Sequence, residues 1–158
     1  MRLYHGSNMA VEKPRLMPAK RLLDFGAAFY VTSDFEQARK WAMHTVKTRE
    51  TGSAIVSAFE FDDSALSKLT VLKFDSPDLD WLYFVAANRT GKTMNEQYDL
   101  IIGPVANDQA IRTVNDYLKG YFSEDIAIRI LQPQKLKDQY AFKTDAALAC
   151  LQFKEAIR

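Results

Sequence analysis

The hydrophobic and polar positions of this chain follow two periods, and the period of two residues predicts its strands. Residues 54–61 alternate and are rich in valine, isoleucine and phenylalanine, which is typical of a strand. Residues 98–102 are typical of a buried strand, which we expect Gly103 and Pro104 to stop. Shorter strands are predicted over residues 1–5, 27–31, 69–73 and 139–142.

The period of 3.6 residues predicts helices between these strands. After Ser33 or Asp34, either of which can cap a helix, apolar residues recur at helical spacing. A second helix is predicted to begin at Asp75 or Ser76, with Pro77 at its start. Further helices are predicted over residues 108–121 and 123–131, and after a cap formed by Thr144 and Asp145.

Short strands interleaved with helices predict an α+β or an α/β fold. The length of 158 residues is typical of one domain, which we expect to span residues 1–158. The chain shows neither internal repeats nor a linker long enough to divide it. The hydrophobic pattern alone does not choose between the two fold classes.

The composition indicates the cellular compartment of the protein more clearly than its function. With 21 basic and 20 acidic residues, the chain has no net charge that would attract nucleic acid or a membrane. Its one cysteine, Cys150, excludes an intrachain disulfide and a cysteine-only zinc site, and its apolar surroundings predict a small buried thiol. No apolar run could span a bilayer and no signal-peptide pattern is present, so we expect a cytoplasmic protein.

Three segments carry the most specific chemistry. Residues 3–7 (Leu-Tyr-His-Gly-Ser) end a strand with a histidine and a glycine, and residues 25–33 place a tyrosine on a Phe-Tyr-Val-Thr-Ser strand after a glycine turn. Residues 102–106 have the sequence Ile-Gly-Pro-Val-Ala. Together they resemble DUF3990, a small family of bacterial proteins of unknown function within the ADP-ribosyltransferase superfamily of diphtheria toxin and the poly(ADP-ribose) polymerases.

This resemblance implies a fold and a substrate. The fold is an α+β, ADP-ribosyltransferase-like split β-sheet core, in which two facing antiparallel sheets flanked by helices hold NAD in the cleft between them. NAD+ is then a substrate rather than a resident cofactor, and no metal is expected. The chain has only two histidines, His5 and His44, so a histidine-rich metal site is excluded.

Cleavage of the bond between nicotinamide and ribose develops positive charge on the ribose and depends chiefly on positioning. The resemblance implies that His5 binds the ribose hydroxyls, that the Gly6 backbone binds the carboxamide and that the Tyr30 ring stacks on the nicotinamide. It implies, more weakly, that Ser7 is a polar neighbour and that Trp41 is a second aromatic wall. The alternatives are a hydrogen-bonded core histidine, a strand-core tyrosine and, for Trp41, packing on the apolar stripe of its helix.

The third position of the His–Tyr–Glu signature departs from the family pattern. In the matching late strand, residues 138–144, its natural occupant is Gln139. A glutamine can hydrogen-bond the ribose 2′-hydroxyl but has no negative charge, which favours transfer of a single unit over chain elongation. Asp138, Glu96 and Asp99 are the alternative acids, and each can instead be a surface charge.

The remaining polar motifs predict less. Lys20, Arg21 and Arg89 are candidates to meet a pyrophosphate or an acidic target, and a solvated surface role is the alternative. Residues 88–93 contain Gly-Lys-Thr but lack the first glycine of a phosphate-binding loop and a strand directly before it. The helix start at residues 107–108 is interpreted as a structural turn, because Asp108 would repel a phosphate.

The resemblance thus predicts an NAD-dependent mono-ADP-ribosyltransferase, the toxin or effector of a bacterial toxin–antitoxin or phage-defence system, with a small antitoxin protein as its partner. Its acceptor is RNA or protein. A nucleobase needs little deprotonation and so tolerates Gln139 better than a serine acceptor would, which favours RNA. The alternatives are a catalytically silent module that binds NAD or a nucleotide, and an NAD glycohydrolase.

Overall fold

The computed structural model describes residues 1–18, 23–92 and 97–158. Within these ranges the chain combines helices with two β-sheets, which confirms the α+β class. The elements are β1 Arg2–Ser7, β2 Phe29–Val31, α1 Phe35–Arg49, β3 Ile55–Phe61, a 3-10 helix Asp63–Lys68, β4 Val71–Lys73, α2 Leu79–Arg89, β5 Leu100–Pro104, α3 Asp108–Leu118, α4 Glu124–Leu131, β6 Asp138–Phe142, α5 Asp145–Leu148 and β7 Leu151–Ile157.

The strands form one three-stranded and one four-stranded sheet. The first has the order β1-β3-β7 and is antiparallel throughout. The second has the order β2-β6-β5-β4, and β4 runs parallel to β5 while the other pairs are antiparallel. The expectation of two wholly antiparallel sheets is therefore wrong, because α2 connects β4 to β5 as a crossover that returns the chain to the same end of the sheet.

Two apolar clusters form the core. The first lies between the sheets and unites side chains from both, and the second lies between the four-stranded sheet and helices α2, α3 and α4. The first cluster includes Leu3, Phe29, Phe59, Phe61, Leu100 and Phe142, and the second includes Trp81, Leu82, Val85, Ile101, Val114 and Leu131. No helix of the described ranges is long and apolar enough to cross a membrane.

Capping side chains begin the helices where the sequence predicts caps. The Asp34 carboxylate accepts the Gln37 backbone N–H at 2.7 Å, and the Thr144 hydroxyl accepts that of Ala147 at 3.2 Å. Each bond satisfies one of the N–H groups that a helix start leaves without an internal partner. These two helix starts follow from local sequence.

The start of α2 differs from the prediction. Its cap is Asp78, whose carboxylate accepts the Trp81 backbone N–H at 3.0 Å, so the prediction of a start at Asp75 or Ser76 is wrong. The physical reason lies in the turn before the helix, where the Asp78 N–H donates to the Ser76 carbonyl at 2.9 Å and the Asp78 side chain supplies the cap. The helix therefore begins only after the proline.

Two further boundaries differ. The strand β5 continues through Gly103 to Pro104, which pairs with Asp138, because a proline without an N–H is tolerated at the end of a strand. The last helix, α5, ends at Leu148, and the following residues form β7 against β3. The Cys150 thiol lies between them and is half-buried, not fully buried as predicted.

Candidate active site

Strands β1 and β2 meet at one residue pair and then diverge. The Tyr4 N–H donates to the Thr32 carbonyl at 2.8 Å, and the Thr32 N–H donates to the Tyr4 carbonyl at 3.0 Å. The next facing pair would be Gly6 and Tyr30, and no backbone hydrogen bond joins these two in the described part of the chain. Instead, the His5 Nδ1–H donates to the Tyr30 carbonyl oxygen at 2.8 Å. We call this divergence the β1–β2 split.

The backbone of Gly6 faces the split. Residues of a strand between two neighbours alternate in the side to which their N–H and C=O groups point. Because Tyr4 directs both groups to Thr32, Gly6, two residues further on, directs its own to the same side. Gly6 is buried, and among the described residues neither β2 nor any side chain forms a hydrogen bond to these two groups. A backbone donor and acceptor side by side are complementary to a primary carboxamide.

Packing against α1 explains why residue 6 is a glycine, which was not predictable from the sequence. A Cβ at this position would lie 1.9 Å from the Ala38 carbonyl oxygen and 2.8 Å from the Ala42 backbone nitrogen. Both atoms belong to the backbone of α1, so this helix lies directly on β1. The glycine therefore lets α1 approach, whether or not it also lets a ligand approach.

Trp41 lies on the same turn of α1, between these two alanines in sequence. It is 47% exposed, and its ring lies 5.4 Å from the His44 ring. The buried face of α1 is formed by Ala38, Ala42 and Thr45. The alternative of core packing for Trp41 is wrong, because the close approach of α1 to β1 leaves room only for small side chains.

His5 is held from two sides in a neutral form. Its ring stacks on Phe29 with centroids 4.4 Å apart and is half-buried. Loss of hydration lowers the pKa of His5, the Arg49 charge lowers it further, and the hydrogen bond to Tyr30 opposes both. Because Nδ1 carries the proton that it donates to Tyr30, Nε2 of the neutral ring is an acceptor. An acceptor at that position is suited to a hydroxyl group.

The phenol of Tyr30 is engaged within the protein. Its hydroxyl donates to the Gly26 carbonyl at 2.5 Å and accepts the Phe25 N–H at 3.2 Å, so it closes the turn before β2. Burial raises the pKa of Tyr30, which keeps the hydroxyl protonated. The ring is half-buried against the helix-side core, so a ligand could contact only the part that remains exposed.

Gln139 lies on the same face of the four-stranded sheet as Tyr30. Tyr30 pairs with Ala141, and Gln139 is two residues from Ala141 on β6, so their side chains point to one side. Gln139 is buried, and its Nε2 donates to the Pro104 carbonyl at 3.5 Å. That oxygen also accepts the Trp81 indole N–H at 2.9 Å. The amide of Gln139 is thus directed into the protein.

Ser7 is buried at the end of β1. Its hydroxyl donates to the Asn8 side-chain oxygen at 3.4 Å, and Arg49 donates to the same oxygen at 3.1 Å. The Asn8 amide in turn donates to the Thr51 carbonyl at 3.2 Å. In this arrangement Ser7 belongs to a network that joins the ends of β1 and α1.

Asp138, the acid beside Gln139, anchors the turn between β2 and α1. Its carboxylate accepts the Thr32 hydroxyl at 3.0 Å, the Ser33 backbone N–H at 2.9 Å and the Ser33 hydroxyl. Three donors on one carboxylate fix the direction in which α1 leaves the sheet. The contacts give Asp138 a positioning role.

Asp99 lies far from Gln139. Its carboxylate accepts the Thr70 N–H at 2.8 Å and the Thr144 hydroxyl at 2.7 Å, and these bonds lower its pKa. It precedes β5, whereas the β5 partner of Gln139 is Gly103, at the other end of that strand. The structure therefore does not bring Asp99 to the split. Glu96 lies outside the described residues.

Arg89 is held by an ion pair. Its guanidinium contacts the buried Asp24 carboxylate at 2.6 Å, and the same carboxylate accepts the Ala106 N–H at 3.1 Å. The sequence predicted a pyrophosphate contact or a solvated charge for Arg89, and an ion pair with Asp24 is neither of these. The other basic candidates, Lys20 and Arg21, lie outside the described residues. No motif in the sequence marks Asp24, so its role was not predictable.

A family comparison covers almost the whole chain. The family described as "Protein of unknown function (DUF3990)" matches residues 1–153. The chain belongs to the DUF3990 family. No curated protein and no solved structure matches this chain significantly.

In this DUF3990 protein, two open grooves lie away from the split. One, of about 550 Å³, lies between β4 and α2, and the other, of about 300 Å³, lies where β4 faces the three-stranded sheet. Neither is lined by His5, Tyr30 or Trp41. The polar groups of the split and these two grooves therefore occupy different parts of the molecule.

Proposed function

We propose that this DUF3990 protein is an NAD-dependent mono-ADP-ribosyltransferase with an ADP-ribosyltransferase-like split core. The observation that carries the proposal is the β1–β2 split, toward which the N–H and C=O of the buried Gly6 are directed, beside His5 and Tyr30. A donor and an acceptor at one residue suit the nicotinamide carboxamide, and we assign the second aromatic wall to the exposed ring of Trp41 on α1.

The reaction breaks the bond between ribose C1′ and the nicotinamide nitrogen. Nicotinamide leaves as a neutral molecule with the bonding electron pair, an acceptor nucleophile bonds to C1′, and the acceptor loses its proton. The neutral His5 supplies an acceptor, Nε2, for a ribose hydroxyl, while Gly6 and Tyr30 hold the nicotinamide. The contribution of the protein is mainly positioning, since the leaving group needs no proton.

Gln139 is the proposed third residue, and it holds the ribose by a neutral hydrogen bond. For this its amide must turn away from the Pro104 carbonyl, a weak partner at 3.5 Å. Gln139→Ala should then slow transfer, whereas Gln139→Glu should keep much of it, because both longer side chains reach the hydroxyl. Single-turnover rates on one identified acceptor measure this. A near-wild-type rate for Gln139→Ala would remove the residue from the site.

The proposed setting is a bacterial toxin–antitoxin or phage-defence system, in which this chain is the toxin or effector and a small protein is its antitoxin. The proposed acceptor is RNA, because a nucleobase nucleophile needs no strong base and the Gln139 position provides none. Protein is the other acceptor class. Expression of the wild-type chain alone should then arrest bacterial growth.

A catalytically silent module that binds NAD or a nucleotide is the second candidate. It is favoured by Gln139, whose amide is buried and bonded to Pro104 where the signature has a glutamate. Such a module would bind NAD at the split without consuming it.

One experiment separates these functions. The purified chain is incubated with NAD+, with and without total bacterial RNA and protein, and all products are identified by mass spectrometry. A transferase yields nicotinamide and an ADP-ribosylated macromolecule, a glycohydrolase yields nicotinamide and free ADP-ribose, and a silent module leaves NAD+ intact. Only the first outcome supports the proposal.

A matched pair of variants tests the site itself. His5→Ala should abolish transfer and relieve toxicity, whereas Lys47→Ala, at an exposed position in the last turn of α1, should leave both unchanged. Circular dichroism establishes that each variant is folded. If folded His5→Ala transfers at the wild-type rate, His5 does not act in the reaction.

A further inference from the structure

Strand β4 pairs on one side only. It is the last strand of its sheet, and no strand of the described residues pairs with its outer edge. The Phe74 N–H donates to the Ile102 carbonyl of β5 at 2.8 Å. Because successive residues direct their backbone groups to opposite sides, Val71 and Lys73 direct their N–H and C=O groups away from the sheet. The edge therefore offers backbone groups to another strand.

A groove lies on the α2 side of this edge. It has a volume of about 550 Å³, and its charged residues are Asp75, Asp78, Asp80 and Lys73. The Lys73 ammonium group lies 3.6 Å from Asp75, and within the described ranges no ion pair joins Asp78 or Asp80 to a cation. The exposed ring of Tyr83 forms part of the wall. Carboxylates beside an aromatic ring suit a cationic side chain. We call this the acidic groove.

A second groove lies on the opposite face of the same edge. It has a volume of about 300 Å³ and lies where β4 faces the three-stranded sheet. Its lining is mainly apolar and includes Phe61, Leu66, Val71 and Ile102. We call this the apolar groove. Lys73 lines both grooves, so the two open on either side of one strand edge.

We propose that an extended segment of a partner protein adds to the edge of β4 as a strand, with cationic side chains in the acidic groove and apolar side chains in the apolar groove. Successive side chains of a strand point to opposite faces, so one added strand reaches both grooves. Backbone hydrogen bonds to Val71 and Lys73 provide affinity, and the alternating side chains provide specificity.

The charge of the acidic groove selects the class of partner. Its excess of carboxylates repels the phosphates of nucleic acids and anionic lipids and attracts arginine or lysine. A second copy of this chain fits this charge less well, because its own β4 supplies one cation, Lys73, which already lies 3.6 Å from Asp75. A basic, strand-forming segment of a different protein fits both the charge and the free edge.

The test uses the full chain and labelled synthetic peptides. The probe is a seven-residue peptide in which valine and arginine alternate, and the controls are a peptide of the same composition with the arginines in one block and a peptide in which valine and glutamate alternate. Fluorescence anisotropy measures affinity. We expect saturable binding of the probe, at least about tenfold tighter than binding of either control. Absence of saturable binding of the probe, or equal binding of a control, overturns the proposal.

Two variants locate the binding. Asp75→Asn combined with Asp80→Asn should weaken binding at least about tenfold, since it removes two carboxylates and retains the cap Asp78. The matched control is Glu12→Gln combined with Asp125→Asn, at two exposed carboxylates outside both grooves, and it should leave affinity unchanged. An equal loss in both double variants would show general charge attraction and overturn the groove assignment.

The backbone contribution is measured separately. Val71→Pro removes an outward N–H without removing a bond of the ladder with β5, so the variant should fold and bind the probe at least about tenfold more weakly. In the wild-type chain, nuclear magnetic resonance should show slower exchange of the Val71 and Lys73 amide protons with probe bound. Slowed exchange at another strand overturns the proposal. The proposal is also overturned if the free chain self-associates and Val71→Pro abolishes this, because β4 would then pair with a second copy.

Discussion

The substitution Gly6→Ala tests whether the contact between β1 and α1 is as close as the structure has it. The added Cβ would lie 1.9 Å from the Ala38 carbonyl oxygen, about 1.5 Å inside the 3.4 Å at which ordinary contact begins. It would also lie 2.8 Å from the Ala42 nitrogen. Both atoms are backbone, so a change of side-chain rotamer cannot relieve the overlap and α1 must move.

The size of the effect follows from this geometry. Overpacking of a core typically costs about 1–3 kcal/mol, and more when backbone must shift. We therefore expect Gly6→Ala to lower the free energy of unfolding by at least about 3 kcal/mol, a large part of the roughly 5–15 kcal/mol typical of a domain. At about 2–4 °C per kcal/mol for a chain of this length, Tm should fall by at least about 6 °C.

The assay is urea unfolding followed by circular dichroism, with Gly120→Ala as the matched control. Gly120 has φ +79°, and nothing lies within 4 Å of its added Cβ, so its cost of about 1–2 kcal/mol is conformational strain alone. Ala38→Gly should not rescue Gly6→Ala, because the clashing atom is a carbonyl oxygen that every residue has. If Gly6→Ala destabilises no more than Gly120→Ala, or if Ala38→Gly rescues it, the close packing of α1 on β1 is refuted.

Burial lowers the pKa of His5, so between the folded and unfolded values of that pKa the unfolded chain binds the proton and stability falls as the pH is lowered. Urea titrations between about pH 7 and 5 should show a weaker pH dependence of stability for His5→Gln than for the wild-type chain, and an unchanged dependence would contradict this assignment. Tyr30→Phe removes the hydroxyl that bonds to the Phe25 N–H and the Gly26 carbonyl, so the free energy of unfolding in urea should fall by about 1–3 kcal/mol. NAD affinity measured by calorimetry should stay unchanged because the ring remains, and a normal stability with lost NAD affinity would contradict this. Asp24→Ala leaves the Arg89 guanidinium without its carboxylate and should lower the free energy of unfolding by about 3 kcal/mol in the same assay. The double variant Asp24→Ala/Arg89→Ala should cost less than the sum of the two single variants, and additive costs would contradict an interaction between the two side chains.

The sequence by itself determined the features that depend on neighbouring residues. The caps Asp34 and Thr144 were predictable because an N-cap bonds to a backbone N–H only three residues away. The strands β1, β3 and β5 were predictable because their composition and pattern are visible within each segment. The order of these elements restricted the fold to the α+β or the α/β class, and the family resemblance implied the first.

Part of the candidate site was also predictable. His5, Gly6 and Tyr30 stand in two short motifs, and the structure brings these motifs together across the β1–β2 split. The directions of their polar groups were not predictable. The Tyr30 hydroxyl bonds to Gly26 across a turn whose form the motif does not specify. The Gln139 amide bonds to Pro104, which belongs to a segment that meets β6 only in the folded chain.

Tertiary structure alone decided the remaining features. The residues after Leu148 form β7 because β3 offers them an edge, and no pattern within the segment contains that partner. Trp41 is exposed because α1 lies directly on Gly6, which leaves the buried face to alanines. Asp138 and Asp99 are anchors because their donors come from elsewhere in the chain. In each case a residue's role is set by long-range contacts, whereas hydrophobic period and capping preference are properties of a short stretch of chain.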